Sequence, residues 1–280
     1  MTQSSLYIVA TPIGNLEDIT LRALRILKEV GIIAAEDTRQ TRKLLTHYGI
    51  AKKHLVSYHD HNKIKQALYL IERLKSGISV ALVSDAGTPG ISDPGYYLIN
   101  KAIEAGIKVI PIPGPSAVIT ALSISGLPTD SFVFEGFLPS KEAQKKNKLK
   151  GLADERRTII FYESPHRIIE TLKDIIEVLG DRRVAAIREL TKIHEEVMRG
   201  KVSEILDDIT KRTIKGEIVI VLEGQKRETP VDINVSGEVN RVMTEEGISK
   251  KEAISIVAKR FGIPKKEVYR RVIKSESPSV

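Results

Sequence analysis

A chain of 280 residues, 41% hydrophobic and 29% charged, has the composition of a globular protein long enough for two domains and an appendage. The absence of cysteine excludes disulfides, thiolate metal sites and cysteine nucleophiles. No apolar run reaches the ~18 residues of a membrane helix. Met1-Thr2-Gln3-Ser4-Ser5 shows no basic-then-apolar secretory signal, so a cytoplasmic location without a membrane partner is expected. The net charge of +8 is concentrated. Residues 249–274 hold nine Lys or Arg against two Glu, so a near-neutral body carries a basic appendage suited to a polyanion.

In chain order, Leu6 to Ala10, Gly31 to Ala35, His54 to Ser57, Val80 to Ser84 and Val109 to Ile112 read as buried strands. Between them Thr20 to Glu29, Thr38 to Tyr48, Lys63 to Lys75 and Tyr96 to Ala105 repeat apolar residues at helical spacing. Continuous apolar strands alternating with helices predict an α/β fold with a mostly parallel N-terminal sheet. Pro111-Ile112-Pro113-Gly114-Pro115 removes ladder donors and stiffens the backbone, which sets a boundary after residue 113. Ser116 to Ser125 returns to helical spacing. Strands are then expected at Phe132 to Phe137, Thr158 to Tyr162, Arg183 to Ile187, His194 to Arg199 and Glu217 to Leu222, in a second, mixed sheet spanning 114–224. A linker covers 225–237. The last unit, 238–280, is a small basic helical module of two helices. Ser249-Lys250-Lys251-Glu252 forms a capping box, Gly262 a stop, and Pro264 opens a helix expected to carry Val268, Tyr269, Val272 and Ile273 inward.

Open parallel sheets bind ligands beyond the carboxyl ends of their strands. Here those ends carry Thr11-Pro12-Ile13-Gly14-Asn15, then Asp85 through Gly95, then Pro113-Gly114-Pro115-Ser116-Ala117. Glycine admits a ligand close to the backbone, and proline fixes loop shape at low entropic cost. Neither a G-x-G-x-x-G nor a P-loop motif is present, so a nucleoside lacking polyphosphate suits these loops better than a nucleotide. His59 and His61 share a strand face but lack a third ligand motif nearby, and no metal is expected.

Tyr7 through Leu16 resembles the opening of the ribosomal RNA small subunit methyltransferase I family, of the tetrapyrrole methylase superfamily of class III S-adenosylmethionine enzymes. Matching segments are Glu36-Asp37-Thr38-Arg39, Ser57 through Asn62, Val83 through Gly95, Pro111 through Ala117, Gly126 through Asp130, Phe134 through Pro139, Phe161 through Arg167, Arg188 through Lys192 and Gly216-Glu217. They cover roughly residues 6 to 224 in order, with Lys63 departing from an expected glutamate. The resemblance implies a two-domain, homodimeric methyltransferase with S-adenosylmethionine in the cleft between domains. Its implied reaction is 2′-O-methylation of cytidine 1402 in 16S ribosomal RNA, on the free RNA or the small ribosomal subunit. Carried onto this chain, the cofactor set is Asp85, Gly87, Thr88 and Ile91 in one loop, Ser116 and Ala117 at a helix start, and Tyr162, Leu190 and Glu217 against adenine over Pro12.

The acceptor hydroxyl is weakly acidic, so a general base or a cation beside the developing alkoxide is expected. Asp37, Arg39, Glu163, His166 and Arg167 are the catalytic candidates, Asp37 or Glu163 for the proton and Arg39 and Arg167 for phosphates. A helix cap with a surface ion pair is the alternative for Asp37 and Arg39. The RNA-binding candidates are Asn62, Arg188, Glu189, Lys145 and Lys146 in a basic helix or arm opened by Ser140, and Lys265, Lys266, Arg270 and Arg271 in the last helix. Two other readings stand. A methyltransferase of a macrocycle or diphthamide precursor is disfavoured by the basic tail and by Tyr162 through Arg167. A non-catalytic ribosome-assembly factor is disfavoured by the intact glycine loops.

Overall fold

The structure, a computed structural model, describes residues 4–226 and 234–276. Residues 1–3 of the leader reading and 227–233 of the expected linker lie outside them. The chain divides into two compact units, one ending at Gly224 and the other beginning at Gln225. Among the described residues no helix is long and apolar enough to cross a membrane.

The described residues of the first unit form two five-stranded sheets. In the first, β1 (Ser5–Val9), β2 (Ile32–Ala35), β3 (His54–Ser57), β4 (Val80–Val83) and β5 (Lys108–Ile112) lie in the order β3-β2-β4-β1-β5, all parallel. Every residue of β2 and β4 is buried, as expected of strands covered on both faces. One cover is α1 (Leu21–Glu29) with α2 (Thr38–His47), packing Ile26, Leu27 and Leu45 on Ile33 and Val83. The other is α3 (Lys63–Lys75) with α4 (Tyr96–Glu104), packing Leu70, Leu74 and Leu98 on Leu6 and Leu82. Thr20 caps α1 by accepting from the Ala23 amide at 3.1 Å.

The second sheet is mixed. β6 (Phe132–Phe137) runs parallel to β7 (Thr158–Glu163). β10 (Ile218–Leu222) lies antiparallel between β7 and β8 (Arg183–Arg188), and β9 (Glu196–Lys201) pairs antiparallel with β8. One face meets α5 (Ala117–Ser125). The other meets α6 (Glu142–Lys150), α7 (Ile168–Leu179) and α8 (Val202–Thr210). Sequence reading assigned no helix to α7 or α8. Yet Ile168, Leu172, Ile175 and Leu179 recur at helical spacing, and all are buried.

Among its described residues the second unit has three helices where two were expected. α9 (Val235–Glu246), α10 (Lys250–Arg260) and α11 (Lys265–Glu276) enclose Val239, Val242, Ala253, Val257, Val268 and Val272. The capping box forms: Ser249 Oγ accepts from the Glu252 amide at 3.4 Å, and Glu252 accepts from the Ser249 amide at 3.0 Å. α9 begins within the segment read as linker. Tyr269 and Ile273 point outward, contrary to expectation. Val268 and Val272, four residues apart, own the inner face, and the next residue along lies about 100° round the helix.

Candidate functional site

Loops leaving β1 and β4 are fastened together. The Thr11 amide donates to the Gly87 carbonyl at 2.9 Å and the Gly87 amide returns the bond at 3.0 Å. Gly87 holds φ +76°, a left-handed conformation that a side chain disfavours. After β5 the backbone passes so close to β1 that a Cβ on Gly114 would lie 2.8 Å from that of Ala10. The chain then enters α5 through Ser116, whose side chain caps nothing.

These loops face β7, β10 and the segment after β8 across a cavity of about 300 Å³. Ile13, Leu190, Ile218 and Val219 line its apolar side, and Tyr162 and Phe137 add aromatic walls with rings 5.5 Å apart. Gly87, Thr88, Ile91, Ser116, Ala117, Tyr162, Leu190 and Glu217, all named from sequence, border this one space. Pro12 and Asp85 do not, although the next residues, Ile13 and Ala86, do. The far wall is held by a strap. Glu189 (φ +50°) accepts from the Glu217 amide at 3.0 Å, and Lys192 Nζ meets Glu189 at 2.8 Å and Glu217 at 3.0 Å. The Asn15 amide donates to Thr191 Oγ1 at 3.0 Å, joining the strap to the loop after β1.

The catalytic candidates are distributed differently. Asp37 caps α2 by accepting from the Arg39 amide at 2.8 Å, and the Arg39 guanidinium grips the same carboxylate at 2.7 Å. Those bonds hold the Asp37 carboxyl down at about 2. This is the cap with an ion pair, and neither residue lines the cavity. Glu163 does line it but is buried, accepting from the Ser164 amide at 2.7 Å and the Thr171 hydroxyl at 2.6 Å. Arg167 donates to the Leu138 and Pro139 carbonyls at 2.7 and 3.1 Å, anchoring the exit of β6; His166 lies outside the lining.

Sequence reading passed over Asp93, which borders the cavity inside the loop whose glycine and threonine it had singled out. Burial, with Glu36 and Asp85 nearby, pushes the Asp93 carboxyl up to about 6 against a hydrogen bond from Ser84. Burial, with Asp93 and Glu217 nearby, pushes the Tyr162 hydroxyl up to about 12. Ser164, Pro165 and Gly216 were also missed as lining residues.

Among the RNA candidates, Lys145 corrects the sequence expectation. Its ammonium is buried 2.6 Å from Asp174 and cannot meet a phosphate at the surface. Lys146 is shared by Glu142 and Glu177 at 3.2 and 2.8 Å. Arg188 pairs with Glu196 at 3.1 Å. Asn62 ties its own loop, accepting from the His59 amide at 2.9 Å and donating to the Ser57 carbonyl at 3.1 Å. Arg270 and Arg271 both bind Glu267, at 2.6 and 2.9 Å. Lys265 and Lys266 line a surface groove with Lys250, Lys251, Ile254 and Tyr269.

The cavity's chemistry fits a nucleoside bearing a carboxylate: apolar and aromatic walls for a base and a helix start for the carboxylate. Residues 5–206 match the family model for tetrapyrrole (corrin/porphyrin) methylases. Ribosomal RNA small subunit methyltransferase I of Halalkalibacterium halodurans is 50% identical over 272 residues, covering 95% of this chain and 94% of the relative. The protein of that name from Escherichia coli O157:H7 is 45% identical over 280 residues, covering 98% and 96%. Among solved structures, uroporphyrin-III C-methyltransferase from Thermus thermophilus, complexed with S-adenosylhomocysteine, superposes with TM-score 0.54 at 19% identity. The match covers 79% of this chain and 97% of that one.

Proposed function

The chain belongs to the ribosomal RNA small subunit methyltransferase I family of tetrapyrrole methylases, and from that premise we propose that it methylates ribosomal RNA of the small subunit with S-adenosylmethionine as donor. The proposed acceptor is the ribose 2′-hydroxyl of a cytidine, cytidine 1402 of 16S RNA by family likeness. The observation that carries the reading is the cavity beyond the carboxyl ends of β1, β4 and β5. The residues there that family likeness assigns to the cofactor converge on one nucleoside-sized space.

In this reading residues 1–113 and 114–224 are two domains, one built on each sheet. When bound, the cofactor supplies a methyl group already activated by its sulfonium charge. The protein's task is then alignment and proton removal. Tyr162, Leu190, Ile13 and Val219 enclose the base, the α5 N-terminus receives the carboxylate, and the strap of Glu189, Lys192 and Glu217 keeps Leu190 against the pocket. The basic helical unit supplies phosphate contacts, which orient RNA without selecting sequence. The same likeness supports a cytoplasmic homodimer, which light scattering of the full chain tests.

The primary experiment incubates the protein with labelled S-adenosylmethionine and small ribosomal subunits from cells lacking the gene, then digests the RNA for mass spectrometry. A new 2′-O-methylcytidine at one site supports donor, acceptor and target together. Tight cofactor binding without RNA methylation overturns the acceptor, and no cofactor binding overturns the enzyme reading itself.

A further inference from the structure

Three carboxylates border the cavity, and two are already engaged. Glu217 is paired with Lys192 at 3.0 Å. Glu163 receives the Ser164 amide and the Thr171 hydroxyl and has the Arg167 guanidinium 3.5 Å away. Asp93 lies beside the Ser84 hydroxyl and has no ion-pair partner among the described residues. Its titratable neighbours are Glu36 after β2, Asp85 in its own loop and Tyr162 of β7. Two are acidic, so the site favours a proton arriving over a proton leaving.

The loop presenting this carboxylate is folded against local preference. Ser92, immediately before Asp93, is held at φ +64°, a left-handed conformation disfavoured for a non-glycine residue. Gly90 stands at φ +86°, and a Cβ on Gly95 would come within 2.9 Å of the Gly90 amide nitrogen. The loop therefore doubles back on itself. From the other sheet Gly136 lies close against Ser92, where an added Cβ would stand 3.3 Å from Ser92 Oγ. Both sheets thus brace the turn that delivers Asp93 to the cavity. Strain of this kind persists where the surroundings impose it, and it collects at reacting groups.

We infer that Asp93 is the catalytic residue that takes the proton of the acceptor hydroxyl as the methyl group is transferred. This assignment rests on the methyl transfer proposed above. The hydroxyl oxygen forms a bond to the methyl carbon while the carbon–sulfur bond breaks, and that bond's electron pair leaves with sulfur as a neutral thioether. The hydroxyl proton passes to an Asp93 carboxylate oxygen and from there to water. No further reactant is needed.

The test is single-turnover methylation of undermethylated small subunits by the full chain across pH, for the wild type, Asp93→Asn and Asp93→Glu. Calorimetric affinity for S-adenosylhomocysteine is measured in parallel. The wild-type rate should climb about tenfold per pH unit below about pH 6 and level off above it. Asp93→Asn should be about 10²-fold slower or worse, without that acid limb, and should keep wild-type S-adenosylhomocysteine affinity within a few-fold. Asp93→Glu should recover part of the rate with the limb displaced. An Asp93→Asn enzyme that keeps its rate and acid limb overturns the assignment. So does one whose cofactor affinity falls in step with its rate, because Asp93 would then hold the cofactor. A wild-type protein that binds cofactor but methylates no RNA removes the parent reading and this one together, a result distinct from a slow variant of an active enzyme.

Discussion

The Lys145 ammonium meets the Asp174 carboxylate at 2.6 Å with both side chains more than nine-tenths buried, pinning α6 to α7 beneath the second sheet. Removing one partner of such a pair strands the other charge in a poorly solvated site. Lys145→Ala is therefore expected to destabilise the fold by about 3 kcal/mol in denaturant titration. Lys146, 3.7 Å from Asp174, offsets part of the loss. The double variant Lys145→Met with Asp174→Leu should recover most of it, and equal instability in both would contradict this account.

Gly14 faces the strap at the cavity rim. A Cβ there would lie 2.6 Å from both Lys192 Cγ and Thr191 Oγ1, and 2.9 Å from the Leu190 carbonyl oxygen. Gly14→Ala must push the strap away and carry Leu190 off the pocket wall. S-adenosylhomocysteine affinity should fall about tenfold or more, equivalent to roughly 1.4 kcal/mol, with melting temperature nearly unchanged. Undiminished affinity by calorimetry would show the strap to be dispensable.

Asp93 links function to stability with a definite sign. Burial, with Glu36 nearby, raises its carboxyl from the ordinary 3.8 to about 6 in the fold. Folding thus favours its protonated form, a contribution complete below about pH 4 and lost as pH rises through about 6. At neutral pH the fold carries an unpaired, half-buried charge, and Asp93→Asn removes it. With solvent screening allowed for, the gain is about 1 kcal/mol, or some 2–4 °C in melting temperature. The gain should shrink as pH is lowered towards about 4. A variant that melts lower than wild type at neutral pH would contradict this.

The basic helical unit sorts its cations by geometry. Lys265 and Lys266 line the groove that holds Tyr269, which is 56% exposed, whereas Arg270 and Arg271 are drawn onto Glu267. If this unit binds RNA phosphates, replacing Lys265 and Lys266 together by alanine should reduce the slope of log affinity against log salt by about 1.5–2. Arg270→Ala should change it less. Filter binding of small subunits between about 50 and 200 mM salt measures both. Equal effects would mean that Glu267 releases its arginines on binding.

Much of the fold was legible because its signals are local. The uniformly apolar runs of β2 and β4 and the apolar spacing of α1 to α4 announce a helix-covered parallel sheet before any tertiary contact forms. Glycine and proline after β1, β4 and β5 likewise declare loops with constrained dihedrals. α7 was equally legible and was overlooked, as was the apolar seam of Val235, Val239 and Val242 in α9.

By itself the amino-acid sequence determined the two-sheet plan, the glycine- and proline-rich loops after β1, β4 and β5, and the family, because periodicity, turn chemistry and ordered motifs are properties of neighbouring residues. Tertiary structure alone decided which like-charged side chains work where. Asp37 is spent on capping α2, Glu163 on Thr171, and Lys145 on a buried carboxylate, while Asp93 is left facing the cavity. The physical reason is that a charge's role is set by burial and partners. For Lys145 and Asp93 those come from segments distant along the chain, brought together only when the helices and sheets pack.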